Sequence, residues 1–354
     1  MLAAENRPPE AGGGSEGEAR VRTTVHDVAS AAGVSVSTVS RALTGGRVSP
    51  ATRESVLAAA ERLGYQPNRA AQGLITGRTG NLGLIVPDLR NPFFADVAKG
   101  VTARARSVNC GVFISDTDED VGAELEAIAT LGRNTDGVLL CSPRAGDDDV
   151  REVADPESTV LVHRRVPGML SVAGDIADGT RQAIGHLRAL GHRCIAFVAG
   201  PEDSWAGQQR LAALAEFTAG GDIEILRLGS VAPTFRGGVL AGDLVLAGPA
   251  TAVLAYNDLV AIGLLHRLAA RGVAVPERIS VVGYDDISLA AMSHPPLTTV
   301  AMPKGKAGAT ALELLLRRIG GTDGAPRRTG TPREPEVTLA TSLVVRSSTG
   351  VAPT

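Results

Sequence analysis

The sequence predicts two parts of different class: an all-α headpiece of the helix-turn-helix type at the N-terminus, and a larger α/β body made of two doubly wound subdomains. Three observations carry this. Residues 24–64 hold three short stretches of helical periodicity, opened by Thr24, Ser35 and Ser49. From Asn81 onward, short uninterrupted apolar runs alternate with helical stretches, the pattern of parallel strands covered on both faces. About eight such runs over roughly 270 residues exceed one small sheet, so two subdomains fit better.

The elements follow in order. Thr24 can cap the first helix, with Asp27 three residues on, and Val25, Val28, Ala29 and Ala32 give it one apolar face. Gly33 ends it. Ser35 caps a second helix to about Leu43, with Val39 and Leu43 inward. Ser49-Pro50 is a cap followed by Pro at the first helical position, and Val56, Leu57, Ala60 and Leu63 point inward until Gly64 stops the helix. Candidate strands of the body are residues 82–86, 111–114, 137–140, 160–162, 195–199, 223–226, 252–255 and 279–283. A Leu-rich helix (312–319), a Gly/Pro/Arg-rich loop (320–336) and a last strand (338–345) complete it.

Composition narrows the class. A chain of 354 residues with 44% apolar and 21% charged residues is globular and long enough for a substantial core. Three widely spaced cysteines, Cys110, Cys141 and Cys194, argue against a disulfide framework or a Cys-based zinc site and fit a reducing, cytoplasmic setting. No apolar run approaches the ~20 residues of a membrane helix, so no membrane partner is expected. Met1 to Arg22 carries Glu, Pro and Gly where a signal peptide would be apolar, and residues 1–20 read as a disordered arm. The net charge of −3 hides an asymmetry: residues 21–78 hold seven Arg against Asp27, Glu54 and Glu61, ahead of an acidic body. Such a basic block suits a polyanion.

Within residues 25–44, Ala29, Gly33 and Val39 have helix-turn-helix spacing: a small residue lets the helices approach, Gly permits the turn, and an apolar residue locks the second helix. The second helix then exposes Val36, Ser37, Ser40 and Arg41. Arg41 can hydrogen-bond a guanine edge bidentately, and Val36 can pack on a thymine methyl. Hydroxyls at Thr24, Ser40, Ser49 and Thr52 suit phosphates, which position a protein on DNA without specifying sequence.

The stretches DVASAAGVSVSTVSRAL, VSPATRESVLAAAERLGYQPNRAAQGL and TGRTGNLGLIVPDLRNPFFADV resemble the LacI family of bacterial transcription regulators. The resemblance continues through DGVLL, HLRALGHRCIAFVAGP, TAVLAYNDLVAIG, VPERISVVGYDD and PPLTTV, leaving out only the first 20 residues and the 320–336 loop. It implies that Val36, Ser37 and Arg41 read bases in the major groove of a near-palindromic double-stranded operator. Ser35, Thr44, Tyr65 and Asn68 would join the phosphate contacts, although Thr44 stands where the family commonly has Asn. Residues 68–75 would be a hinge that becomes helical only on operator DNA, with Ala71 beside Leu74, the minor-groove wedge. The implied boundaries are 1–20 for the arm, 21–66 for the DNA-binding domain, 67–78 for the hinge and linker and 79–354 for a periplasmic-binding-protein-like effector and dimerisation domain. Within that domain one subdomain would comprise about 79–174 plus 302–320, and the other about 175–300 plus 337–347.

Phe93, Phe94 and Trp205 follow predicted strands, in loops where ligands bind in α/β sheets. Phe94 and Trp205 suit a wall for a sugar ring or base. Arg210 lies in the helix after the 195–199 strand, Asn257 and Asp258 follow the 252–255 strand, and Asp285 and Asp286 follow the 279–283 strand. These donors and acceptors suit paired hydroxyls. The resemblance implies that Phe94, Arg210, Asn257 and Asp285 line an effector pocket. His163 stands where the family usually has Asp, and it joins the candidates. His186 and His192 read as structural.

The expected function is a repressor controlled by a small-molecule effector, a sugar or sugar derivative, working as a homodimer because no C-terminal heptads are present. A solute receptor without DNA binding shares the bilobed fold but does not explain residues 24–74. No phosphate-binding loop, HExxH or GxSxG is present, so no catalytic residues and no cofactor are expected. The acidic runs 116–120 and 147–149 lack calcium-loop spacing and read as solvated loops, so no metal is expected either.

Overall fold

The computed structural model describes residues 23–43, 46–65, 78–219, 221–320 and 336–353. The N-terminal arm, Thr44, Asn68, Ala71, Leu74 and the rest of the hinge before Arg78, and the loop of residues 321–335 lie outside these. The chain divides into two compact units between Thr76 and Gly77.

The first unit is a three-helix headpiece: α1 (Val25–Ala32), α2 (Val36–Leu43) and α3 (Pro50–Arg62). Thr24 and Asp27 form a reciprocal capping box, and Gly33 ends α1 at φ 66°, a left-handed conformation that glycine adopts without steric cost. The Ser35 hydroxyl accepts from the Thr38 N–H at 3.2 Å, and that of Ser49 from the Thr52 N–H at 3.1 Å. Val28, Ala29, Val39, Ala42, Val56, Ala59 and Ala60 make the core. Leu57, expected inward, is 49% exposed. The buried face of α3 runs Val56, Ala59, Ala60, and Leu57 sits ~100° round the helix from Val56.

The second unit holds two six-stranded sheets. The first has the order β11-β5-β4-β3-β1-β2, all parallel. Its strands are β1 (Asn81–Val86), β2 (Gly111–Asp116), β3 (Val138–Cys141), β4 (Thr159–Val162), β5 (Leu170–Gly174) and β11 (Glu336–Leu339), with α4 (Pro92–Ser107), α5 (Val121–Asn134) and α6 (Asp147–Val153) in its connections. The second sheet has the order β12-β10-β9-β8-β6-β7. It comprises β6 (Cys194–Ala199), β7 (Glu224–Ser230), β8 (Ala252–Ala255), β9 (Ser280–Asp285), β10 (Thr298–Ala301) and β12 (Ser342–Val344), with only β12 antiparallel. Its helices are α7 (Ile176–Ala189), α8 (Trp205–Thr218), α9 (Phe235–Ala247), α10 (Asp258–Ala270) and α11 (Ser288–Met292). Helix α12 (Lys304–Arg318) follows β10 but packs on α4 and on strands β4 and β5 of the first sheet.

β5 and β10 were not among the expected strands. The single last strand expected over 338–345 is two strands: β11 pairs with β5 in the first sheet, and β12 with β10 in the second. Residues 337–339 therefore belong to the first subdomain and not the second, because the chain passes between sheets after Leu339. His192 is fully buried, its ring nitrogens meeting Thr251, Ser280 and the Gly350 carbonyl, and His186 meets Thr349, in agreement with their structural reading.

Candidate nucleic-acid interface and effector cavity

In the headpiece, Ser37 and Arg41 are exposed on α2, one turn apart, with the Arg41 Nε donating to the Ser37 carbonyl at 3.2 Å. Val36 is half-buried against the headpiece core, so it presents less surface than expected, and Ser40 is half-buried too. The hydroxyls of Ser35 and Ser37 meet at 2.8 Å, and those of Ser49 and Thr52 at 2.7 Å. Tyr65 is half-buried, and the Thr24 hydroxyl is engaged with Asp27. Sequence reasoning missed Arg53. Its guanidinium donates to the Ala42 carbonyl at 3.0 Å and the Gly46 carbonyl at 2.7 Å, tying α3 to the end of α2 and the turn behind it.

In the body, all seven candidates line one cavity: Phe93, Phe94, His163, Trp205, Arg210, Asn257 and Asp285. Each lies just past the carboxyl end of a strand or in the helix that follows, β1 for the two Phe, β4 for His163, β6 for Trp205 and Arg210, β8 for Asn257, and β9 for Asp285 itself. This is where parallel sheets place ligands. Phe93, Phe94 and Trp205 occupy the first turns of α4 and α8 rather than loops. The cavity measures about 40 Å³, against the ~300–1,000 Å³ of pockets that enclose drug-sized ligands. A ring therefore enters only as the walls move.

The polar groups are unevenly satisfied. Arg210 is buried, stands 3.7 Å from the Tyr284 ring centre and donates from Nη1 to the Tyr256 carbonyl at 2.6 Å, while its Nε has no partner. Asn257 spends its side chain locally: its oxygen caps α10 through the Val260 N–H at 2.9 Å, and its nitrogen donates to the Pro233 carbonyl at 3.0 Å. His163 is 3% exposed, lies 4.9 Å from the Phe93 ring, and has no partner at either ring nitrogen. Burial, reinforced by Lys304 and Arg210, pushes its pKa down to about 4, so the ring is neutral near pH 7. Asp285 is pushed up to about 7 by burial, against the opposing pull of Arg210 and Lys304. Ser142, His163 and Asp285 have φ of 46°, 56° and 113°, backbone strain of the kind that collects at ligand sites.

Sequence reasoning missed Arg144 and Arg164, which also line the cavity, together with Ser142 and Tyr256. Two residues of the acidic runs read as solvated loops, Glu119 and Asp147, are the counter-ions of these arginines, while Asp116, Asp118, Asp120, Asp148 and Asp149 are exposed as read. Glu119 takes the Arg144 fork, Asp147 takes the Arg164 Nη2 at 2.7 Å, and the buried Glu124 accepts the Arg144 and Ala145 N–H groups, each at 2.9 Å. The available signal was an Arg within three residues of the end of an apolar strand. Asp258 does not line the cavity; it accepts from Thr299 at 2.5 Å and from the Ile287 N–H at 2.8 Å, holding the turn after β9.

Comparison with known proteins agrees with both halves. Residues 24–68 match the bacterial regulatory proteins, lacI family, and residues 184–349 match a periplasmic binding protein-like domain. The chain is 37% identical to the HTH-type transcriptional regulator CelR of Thermobifida fusca over 94% of this chain and 99% of that protein. Among solved structures, the lac repressor dimer bound to operator and an anti-inducer matches with a TM-score of 0.79 at 28% identity, covering 93% of this chain and 99% of that one. A complex of the transcriptional regulator CelR with cellobiose matches with a TM-score of 0.63 at 32% identity, over 92% and 100% of the two chains. Among the described residues no helix is long and apolar enough to cross a membrane. A capped helix-turn-helix ahead of two parallel sheets that share one cavity, with relatives matched over nearly their whole length, identifies a sequence-specific DNA-binding regulator: this chain belongs to the lacI family of bacterial regulatory proteins.

Proposed function

We propose that this chain is a cytoplasmic repressor, without enzymatic activity, whose grip on operator DNA is set by a small sugar or sugar derivative bound in the body. The observation that carries the DNA half is the exposed pair Ser37 and Arg41 on α2 of the helix-turn-helix. These two, with the exposed part of Val36, read base edges in the major groove. Thr24, Ser35, Ser40, Ser49, Thr52 and Tyr65 position the unit on phosphates. Thr44, Asn68, Ala71 and Leu74 keep the phosphate, hinge and wedge roles that the family resemblance implies.

The effector half rests on the cavity at the carboxyl ends of both sheets. A sugar is supported by the cellobiose bound to the similar regulator CelR. The chain works as a homodimer, as its likeness to the operator-bound lac repressor dimer supports. Exposed Phe113 and Ile114 on the edge strand β2, with Leu240 and Leu244 one turn apart on α9, offer apolar surface to a second copy. Two-fold symmetry of the protein then matches a near-palindromic operator. Coupling is reciprocal: whatever factor the effector imposes on DNA affinity, DNA imposes on effector affinity.

The test is a gel-shift titration of the full chain on fragments of its own genome against scrambled competitor, with and without cellobiose and common monosaccharides. A preferred fragment whose affinity moves with one of these sugars is the expected result. Equal binding of every fragment under all conditions refutes the reading.

A further inference from the structure

Three guanidiniums line the effector cavity, those of Arg144, Arg164 and Arg210. Arg144 is engaged at all three nitrogens: Nε and Nη2 meet Glu119, and Nη1 donates to the Ser142 carbonyl at 3.0 Å. Arg164 gives Nη1 to the Pro143 carbonyl and Nη2 to Asp147, but its buried Nε has no partner. Arg210 likewise leaves a buried Nε unpartnered, and no ion pair among the described residues uses Arg210 or Lys304. Neutral His163 adds one ring N–H donor and one acceptor, both unpartnered. Opposite them stands one carboxyl, Asp285. A buried guanidinium N–H without an acceptor is costly, and a charged acceptor answers it roughly twice as strongly as a neutral one.

We propose that the effector is a polyhydroxylated acid, whose carboxylate or phosphate is held by Arg164 and Arg210 beside His163 while its hydroxyls meet the aromatic and carboxyl walls. The proposal rests on the reading of this cavity as the effector site and names the chemical class that the site selects. A neutral sugar satisfies donors one at a time and leaves Asp285, pushed by burial toward its protonated form, as the carboxyl that faces Arg210. An anionic oxygen pair answers donors and charge together.

The class of ligand fixes the sign of a pH effect. Asp285 faces Arg210 and Lys304, and its ionisation is coupled to that of buried Asp258; Asp286 is paired with Arg346. His163 faces Lys304 and Arg210. An entering anion favours protonated Asp285 and protonated His163, so binding takes up protons and tightens as pH falls from 8 to 6. A neutral polyol donating hydroxyls to ionised Asp285 releases a proton and tightens as pH rises across the same range.

Trp205 is the chain's single tryptophan and lines the cavity, so its emission reports on this site. The full chain is titrated with D-gluconate, D-glucuronate and D-glucose 6-phosphate, with D-glucose and cellobiose as neutral counterparts, and with inorganic phosphate alone. The carboxylates and the phosphate ester separate the two sources of charge, and the carboxylates carry the pH series because they stay ionised throughout. The expected result is an acid that binds at least tenfold tighter than its neutral counterpart at pH 7, with affinity rising threefold or more from pH 8 to 6.5. Arg164→Gln is expected to remove that preference. Because Arg164 also anchors the loop after β3, the pH slope of the unaltered chain tests the proposal independently. Neutral sugars binding as tightly as acids, or a slope of opposite sign, overturn the proposal; if such a sugar also shifts operator binding, effector control stands without it. Silence of Trp205 toward phosphate and every acid also overturns it, and silence toward the neutral sugars as well, with unchanged operator binding, removes the effector reading too.

Discussion

The guanidinium carbon of Arg210 lies over the Tyr284 ring, 3.7 Å from its centre, and Tyr284 is itself fully buried. The same side chain stands 5.0 Å from the Tyr256 ring and donates to the Tyr256 carbonyl. Arg210 is therefore clamped from two strand ends, β8 and β9, before any ligand arrives. Such preorganisation lowers the ordering cost of binding. Arg210→Lys keeps the charge but loses the planar fork and the stacking. Effector affinity is expected to fall by about 2 kcal/mol, roughly thirtyfold, the scale of one lost hydrogen bond between the ligand and a charged group. A Trp205 titration with whichever sugar or sugar acid gives the largest response checks this, with operator affinity in the absence of effector unchanged.

On α2, Arg41→Ala is expected to cost specific operator binding about 1–3 kcal/mol while leaving non-specific binding nearly intact. Equal affinity of the two proteins in a gel-shift titration against a preferred fragment would remove Arg41 from base reading.

Arg53→Ala should behave differently. Two charge-assisted hydrogen bonds to the Ala42 and Gly46 carbonyls disappear, and neither carbonyl meets the DNA in this account. Headpiece stability is expected to drop by about 1–3 kcal/mol. Amide exchange in α2 should quicken, with specific and non-specific DNA binding weakened together.

Much of this architecture is legible before folding because its signals are local. Thr24 with Asp27, Gly33, and Ser49-Pro50 mark helix ends through bonds that span only a few residues. Strands such as Ala252–Ala255 read as apolar runs because both faces are covered. What escaped detection depends on distant chain. β10 is a Thr-rich segment whose buried Thr298 and Thr299 hydroxyls find partners 41 to 51 residues away, so the sequence shows polarity where the structure has core. Arg144 and Arg164 look like surface residues until Glu119 and Asp147 arrive from 25 and 17 residues away. Phe93, Phe94, Arg210 and Asp285 were found because strand ends announce where a parallel sheet opens.

Helix packing supplies an internal control. A Cβ added to Gly100 on α4 would lie 2.0 Å from the Gly305 carbonyl oxygen on α12, whereas a Cβ on Gly305 would meet nothing nearer than the Asp96 oxygen at 3.8 Å. Gly100→Ala must push the two helices apart. Overpacking of this kind costs about 1–3 kcal/mol or more. Gly305→Ala removes backbone freedom from the unfolded chain without a clash and is expected to be neutral or stabilising by up to about 1 kcal/mol. Melting of the two variants side by side should give a Tm several degrees lower for the first and unchanged or higher for the second. Equal losses would mean that α4 and α12 do not meet at Gly100.

His163 and Asp285 make opposite contributions to stability as pH changes, and each can be unmasked by removing the other. The His163 pKa falls from 6.5 to about 4 on folding, so between these values the unfolded chain binds the extra proton and stability rises with pH. The Asp285 pKa rises from 3.8 to about 7, so across that range the folded chain holds the extra proton and stability falls as pH rises. From roughly pH 4 to 6.5 the two slopes cancel, each having a limiting value of about 1.4 kcal/mol per pH unit. Asp285→Asn removes the cost of burying a carboxylate, so this variant should exceed the unaltered chain in stability at pH 8, with the advantage vanishing near pH 4. Below pH 6.5 it should lose stability on acidification with the slope of His163 alone. His163→Asn should do the reverse and gain stability as pH falls from 7 to 4. Calorimetric melting of the three proteins at half-unit steps of pH measures all of these. Parallel curves for the three would mean that neither group changes its proton affinity on folding, and the electrostatic account of the cavity would fall with them.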